Sequence, residues 1–246
     1  MNSIGEFVAR PLQAWLERFR MRHGLTGEAR AAASVPSPWD HVDEERLLLH
    51  VGCGYATIEH IPMTGFRKAS WREIRLDADE SVAPDIVGTM TEMPSVPTAT
   101  VDAIFSSHGI EHLYWHDVPR ALAEFRRVLN DDGFLVVTCP DLQAAAQMIA
   151  EDRLFDTAYD SAAGPITPFD MVYSYRPFVQ ANPEWMSHHC GFTLTSLIAV
   201  LREAGFAKMY GYRRTGGFDL WVLASKSPRS DGEMAALAAD YLPPVG

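Results

Sequence analysis

The sequence predicts an α/β fold in which a mostly parallel sheet is covered by helices on both faces. Two patterns carry this expectation: short apolar runs that stop at glycine or at polar residues, and amphipathic stretches of helical period between them. A third observation is size, since 246 residues with 47% hydrophobic and 22% charged content can bury one sizeable core.

The elements follow in order. Leu47-Leu48-Leu49-His50-Val51 is apolar almost throughout and ends in glycine, as a strand buried on both faces does. A helix or irregular turn is expected through Ile61. Glu73–Leu76, ending at Asp77, is the second strand, Asp85–Gly88 the third and Val101–Phe105 the fourth. Val118, Ala121, Leu122, Phe125, Val128 and Leu129 recur at helical spacing, with Asp117 expected as N-cap and Arg126-Arg127 in the last turn. Asp131-Asp132-Gly133 reads as a turn into a fifth strand, Phe134–Cys139, halted by Pro140. A helix over residues 194–204 begins after Thr193 and stops at Gly205. Two closing strands, residues 207–213 and 219–224, flank Thr215-Gly216-Gly217 and pair as an antiparallel hairpin at the sheet edge.

Three segments lie outside this alternation. Residues 1–42 hold an amphipathic helix (Phe7, Val8, Leu12, Trp15, Leu16, Phe19) and a connecting segment rich in Ala, Ser and Pro. The basic face of that helix is weak, so it is expected to pack on the body or on a second subunit, as in a homodimer, rather than on a membrane surface. Residues 141–192, rich in Tyr, Phe, Pro and Met, read as an insertion over the active face within a main domain spanning 43–228, and residues 229–246 read as a C-terminal tail.

Composition narrows the function. A formal charge of −11, from 32 acids against 21 bases, speaks against a nucleic-acid surface, which needs concentrated Lys and Arg. Cys53, Cys139 and Cys190 include no CxxC pair, so neither a disulfide framework nor a thiolate zinc site is suggested, and a reducing cytoplasm is the expected location. No run approaches the length of a membrane span.

Gly52 and Gly54 directly follow the first strand, where glycine lets the backbone turn sharply and lets a ligand approach without a Cβ in the way. About 25 residues on, Asp77 ends the next strand, the position from which a carboxylate accepts hydrogen bonds from ribose hydroxyls in a nucleotide-type site. Asp79 competes for the same role. A dinucleotide fingerprint would need glycine where Thr57 stands, which weakens an NAD-dependent oxidoreductase as the alternative.

Three motifs, in this order, resemble the class I S-adenosylmethionine-dependent methyltransferases, especially the bacterial type 11 group. They are Leu49-His50-Val51-Gly52-Cys53-Gly54, the run Val101-Asp102-Ala103-Ile104-Phe105-Ser106-Ser107-His108-Gly109-Ile110-Glu111-His112-Leu113, and Ala123-Glu124-Phe125-Arg126-Arg127-Val128-Leu129-Asn130-Asp131-Asp132-Gly133-Phe134. The resemblance spans residues 47–140 and implies a Rossmann-like, doubly wound, seven-stranded sheet whose last strand is antiparallel. It implies S-adenosylmethionine as cofactor and S-adenosylhomocysteine as product, with Gly52, Cys53, Gly54 and Asp77 at the cofactor, adenine beside Thr89 and Met90, and Ser107 and His108 near the reactive end. The chain departs from the pattern at His50, where an acid is usual, at Ala56 for the third glycine, and at Thr89, where Asp is frequent. Only a short connection fits between Asp77 and Asp85, in place of a crossover helix.

Methyl transfer is an in-line displacement governed by positioning, and a hydroxyl acceptor also needs a base. His108, just past the fourth strand, is the first candidate; His112 and His188 are the others. The expected activity is methylation of a small-molecule or glycan-like acceptor at oxygen, with a non-catalytic S-adenosylmethionine-binding module as the rival from another class. Tyr173, Tyr175 and Trp185 are candidates to line an acceptor pocket or to staple the insertion to the core. His188-His189-Cys190 has no third and fourth ligand nearby in sequence, so no metal is expected.

Overall fold

The computed structural model describes residues 45–244, Ala69 excepted, together with Trp39. The amphipathic helix expected near the N-terminus, and the dimer through it, lie outside these residues. Strands β1 (Arg46–Val51), β2 (Trp71–Asp77), β3 (Ile86–Val87), β4 (Val101–Ser107), β5 (Leu129–Pro140), β8 (Lys208–Arg214) and β9 (Asp219–Ser225) form one sheet in the order β3-β2-β1-β4-β5-β9-β8. The first five run parallel; β9 is antiparallel to both β5 and β8. The last strand in the chain is thus the reversed one, as expected.

Alternation along the strands divides the core between two faces. Leu47, Leu49 and Val51 point with Ile104, Leu135 and Val137 into a cluster covered by helices α1 (Val118–Val128) and α6 (Leu194–Glu203). Leu48 points with Phe105, Phe134 and Val136 into a second cluster. There the crossover from β1 to β2 is two 3-10 turns, Ile58–His60 and Thr64–Arg67, and the cover comes from this crossover together with α7 (Asp231–Tyr241). Residues 229–246, read as a tail, therefore contain a helix whose Met234, Ala238 and Tyr241 are buried on the sheet. Small residues hid its amphipathic pattern.

Two local readings change as well. Asp117 stands at the N-cap position of α1, but its side chain makes no capping bond and lies 3.5 Å from His116. Asp131-Asp132-Gly133 does not end an element: β5 runs through it as a bulge, so Val101 pairs with Leu129 while Ala103 pairs with Phe134. The helix at 194 does begin in a capping box between Thr193 and Ser196 and ends at Gly205, whose φ is +89°.

The insertion folds as α2 (Leu142–Ala150), a hairpin of β6 (Tyr159–Ser161) and β7 (Gly164–Ile166), and short helices α3 (Pro168–Tyr173), α4 (Arg176–Ala181) and α5 (Pro183–Met186). Asp170, 2% exposed, anchors it by accepting hydrogen bonds from Thr167 N and Oγ1 and from Arg176 Nε. Burial pushes the Asp170 carboxyl up, but the bonds from Thr167 and Arg176 outweigh it and hold the group below its ordinary 3.8. A carboxyl depressed in the folded state stabilises above its unfolded pKa, and that contribution disappears as pH falls through the folded value. Melting curves of Asp170→Asn are therefore expected to lose less stability than wild type as pH falls below the ordinary carboxylate range. Equal acid sensitivity in both proteins would show that this carboxylate is not an anchor.

Candidate active site

The carboxyl ends of β1, β2 and β4 meet where open α/β sheets bind ligands. Past Val51 the chain reverses through Gly52 (φ +66°) and Gly54 (φ +52°), left-handed conformations that side-chain-bearing residues rarely adopt. Gly52 N donates to Leu76 O at 2.9 Å, and Gly54 N donates to Asp77 Oδ2 at 2.7 Å. Asp77 Oδ1 accepts from Asp79 N at 2.9 Å, so each carboxylate oxygen takes one backbone N–H and keeps a second lone pair for a ligand. Asp79 instead caps the 3-10 turn Glu80–Val82 by accepting from Ser81 N.

The other expected cofactor residues converge on the same edge. A Cβ built on Gly52 would stand 3.9 Å from Met90 Cε, and one on Gly109 3.1 Å from the same atom, so the Met90 methyl group bridges the turns after β1 and β4. Thr89 Oγ1 lies 3.0 Å from Thr91 Oγ1. Ser107 closes β4 opposite Thr138. Cys53 is buried, and burial pushes its thiol up to about 12, so the thiol stays protonated. A Cβ on Gly54 would meet nothing within 4 Å, which leaves open space beside the loop for a ligand chain. Left-handed glycines, that space and the half-used Asp77 carboxylate together fit S-adenosylmethionine.

Arg75, which no motif singled out, and His50 hold this edge together. Arg75 donates to Gly54 O at 2.5 Å, Ala56 O at 3.1 Å, Val82 O at 3.2 Å and Ala83 O at 2.9 Å, bracing the glycine loop against the short β2–β3 connection. A charged residue inside a strand was its sole sequence signal. His50, standing where an acid is usual, is buried and pairs through Nδ1 with Glu73 Oε1 at 2.7 Å, so the acid comes from the neighbouring strand.

His108 follows β4 with φ +51°, a conformation histidine tolerates better than most side chains, and its N–H donates to Thr138 O. Its ring is 45% exposed and Nδ1 stands 3.3 Å from Oε1 of Glu111, which is 1% exposed. Burial opposes charge on His108, but the Glu111 carboxylate prevails and raises its pKa above the ordinary value. Burial would raise Glu111 too, yet the imidazoles of His108, His112 and His188 hold it below the usual range. His188 is pushed down to about 4, chiefly by burial, and stays neutral.

His108 opens onto a cavity of about 520 Å³ whose wall includes Tyr159, Ser161, Arg214 and Asp219. Arg214 and Asp219 form a two-bond pair, Nε to Oδ1 at 2.9 Å and Nη2 to Oδ2 at 2.5 Å. Tyr159 stacks on Phe218, and burial pushes its hydroxyl up to about 12, so it remains a donor. His188 lines a separate cavity of about 250 Å³ with Tyr173 and Cys190. None of the aromatics expected at the acceptor, Tyr173, Tyr175 and Trp185, lines the larger cavity; Tyr175 staples the β6–β7 hairpin by donating to Ala163 O. Tyr159 is the aromatic residue that borders the larger cavity. Neither it nor Glu111 was singled out as a site residue, although Glu111 lies inside the fourth-strand motif.

The Rossmann-like sheet thus presents a glycine turn and a strand-end carboxylate at one edge, and an open cavity bordered by His108. Residues 49–137 match the family model described as a methyltransferase domain, which supports an S-adenosylmethionine-dependent methyltransferase with S-adenosylmethionine as its cofactor. Curated protein sequences give no match. Among solved structures, the chain is similar to the CMeT domain of the citrinin polyketide synthase at TM-score 0.50 and 12% identity, covering 80% of this chain and 49% of that one. It is similar to phosphoethanolamine N-methyltransferase 2 of Haemonchus contortus in complex with S-adenosyl-L-methionine at TM-score 0.50 and 10% identity, covering 77% and 50%. A protein of Pyrococcus horikoshii OT3 gives TM-score 0.50 and 13% identity, covering 91% and 92%. The chain thus spans about half the length of the first two. At these identities the likeness concerns the fold. Among the described residues, no helix is long and apolar enough to cross a membrane.

Proposed function

We propose that the chain methylates a hydroxyl of a small-molecule or glycan-like acceptor held in the larger cavity, with His108 as the base. The observation that carries this reading is the placement of His108, which borders both the cofactor edge and a polar cavity and has a carboxylate behind it. Bound at the glycine turn, S-adenosylmethionine supplies an electrophilic methyl group on its sulfonium. His108 accepts the acceptor's proton through the ring nitrogen not facing Glu111, and Glu111 orients the ring and stabilises its charge. Arg214, Asp219 and Ser161 offer donors and acceptors for hydroxyl groups, and Tyr159 an apolar face, the mixture that a sugar-like ligand requires. His188 lines the other cavity with Glu111, and His112 clusters with that pair, which favours His108 among the three candidates. With its three cysteines free, a reducing cytoplasmic setting suits this reading.

Calorimetry with S-adenosylmethionine, S-adenosylhomocysteine and NAD, followed by a screen of hydroxylated acceptors, tests it. Binding of the first two without transfer to any acceptor would make the chain a binding module, and NAD binding alone would overturn the reading.

Within this proposal Asp77, rather than Asp79, holds the ribose. Hydrogen bonds to a charged group contribute about 1.5–3 kcal/mol each. Asp77→Ala is therefore expected to weaken S-adenosylmethionine binding by about 10- to 100-fold or more, at about 1.4 kcal/mol per decade. Asp79→Ala should stay within a few-fold of wild type. The reverse ranking would move the ribose to Asp79.

A further inference from the structure

The sequence leaves His188 without companions, and the fold supplies them from the turn after β4. His189 N and Cys190 N both donate to Glu111 O, at 2.9 and 3.2 Å, fastening the insertion to that turn. Potential ligand atoms of Glu111, His112 and His188 then all lie within 4.8 Å of one another. The rings of His112 and His188 meet edge to face, their centroids 4.9 Å apart.

Two independent features make this more than a chance gathering. Both carboxylate oxygens of Glu111 are buried; Oε1 faces His108 Nδ1 at 3.3 Å, and Oε2 makes no hydrogen bond to a described residue. Buried carboxylates normally gain such bonds or bind a cation. The second feature is the orientation of the imidazoles. His112 Nδ1 lies 3.1 Å from Ser187 O, and His188 Nδ1 lies 3.0 Å from Met171 O. A carbonyl only accepts, so each Nδ1 carries the hydrogen and each Nε2 keeps a free lone pair. Ligating histidines are held in this way, their second N–H donated to a backbone carbonyl.

From this geometry we infer that Glu111, His112 and His188 form a binding site for one first-row divalent cation, with zinc the expected occupant. Two nitrogens and one carboxylate match zinc's donor preference, whereas magnesium and calcium select all-oxygen sets. Three protein ligands leave a coordination position open, and the cavity of about 250 Å³ lined by Glu111 and His188 provides access to it. Neighbouring His189 also borders that cavity, but its ring stacks on Tyr114 with centroids 4.1 Å apart and lies outside the ligand cluster. The site stands whether or not His108 acts as the base.

The test is zinc titration of the full chain, stripped with a chelator and desalted, against a chromophoric zinc indicator, with cobalt(II) absorption as a second readout. Wild type is expected to take up one equivalent and to give the visible bands of a low-coordinate cobalt site. Glu111→Gln and the His112→Ala/His188→Ala double variant, confirmed as folded by circular dichroism, should bind at least about 100-fold more weakly and lose the cobalt bands. His189→Ala should match wild type. Absence of stoichiometric uptake by wild type would overturn the inference whatever the variants do. So would uptake unchanged in the double variant, or a loss as large in His189→Ala.

Discussion

His108→Ala is expected to lower kcat by about 10²–10⁴-fold with whichever acceptor turns over, the range a positioned general base contributes. At about 1.36 kcal/mol per decade this corresponds to about 2.7–5.4 kcal/mol of transition-state stabilisation. The loss should fall on kcat, because the ring lies on the wall of a cavity of about 520 Å³ and its removal leaves the Arg214–Asp219 pair and the glycine turn intact. Affinity for S-adenosylmethionine should change by no more than a few-fold. His108→Asn is the informative companion: asparagine also tolerates the left-handed backbone at φ +51° but cannot act as a base. Turnover in both variants within a few-fold of wild type would remove His108 from the chemistry, while loss in the alanine variant alone would assign it to local backbone structure.

The second large effect concerns the fold. Phe66 is fully buried, with ring centroids 4.7 Å from Tyr241, 5.3 Å from Trp71 and 6.1 Å from both Phe105 and Phe134. It joins the β1–β2 crossover, the sheet and α7 into one aromatic cluster, and the adjoining Gly65 allows that approach: a Cβ there would lie 2.4 Å from Asp240 O. Truncating such a residue removes its transfer energy and leaves a cavity, so Phe66→Ala should cost about 3–5 kcal/mol. For a domain of this size, that is a fall in Tm of about 6–20 °C at about 2–4 °C per kcal/mol. Phe66→Leu should cost appreciably less. A drop in Tm below about 2 °C in the alanine variant would mean that α7 does not lean on this cluster.

Elements with strong periodicity were legible from the chain alone. The apolar runs at 47–51 and 134–139 could be little other than buried strands, and Val118, Leu122, Phe125 and Leu129 spell out a helix face. Elements lacking contrast were not: α7, whose pattern is carried by alanines, looked like a tail, and the bulge in β5 looked like a turn because Asp-Asp-Gly is turn chemistry wherever it occurs. The cofactor edge was legible because its requirements are local. Left-handed glycines must follow the strand immediately, and the carboxylate must end the next one, so order and spacing encode the site. Arg75 escaped notice because its four carbonyl partners come from two separate turns.

The sequence by itself determined the class of sheet, the class of cofactor and the glycine turn after β1, because short-range backbone geometry and the order of the strands suffice for these. Tertiary structure alone decided which side chains face one another. It placed Tyr159 and Arg214 opposite His108, set Glu111 behind that ring, and carried His188 across 76 positions to within reach of His112. Contacts between residues so distant depend on where the insertion docks, and docking follows from packing and backbone hydrogen bonds, which leave no periodic trace along the chain.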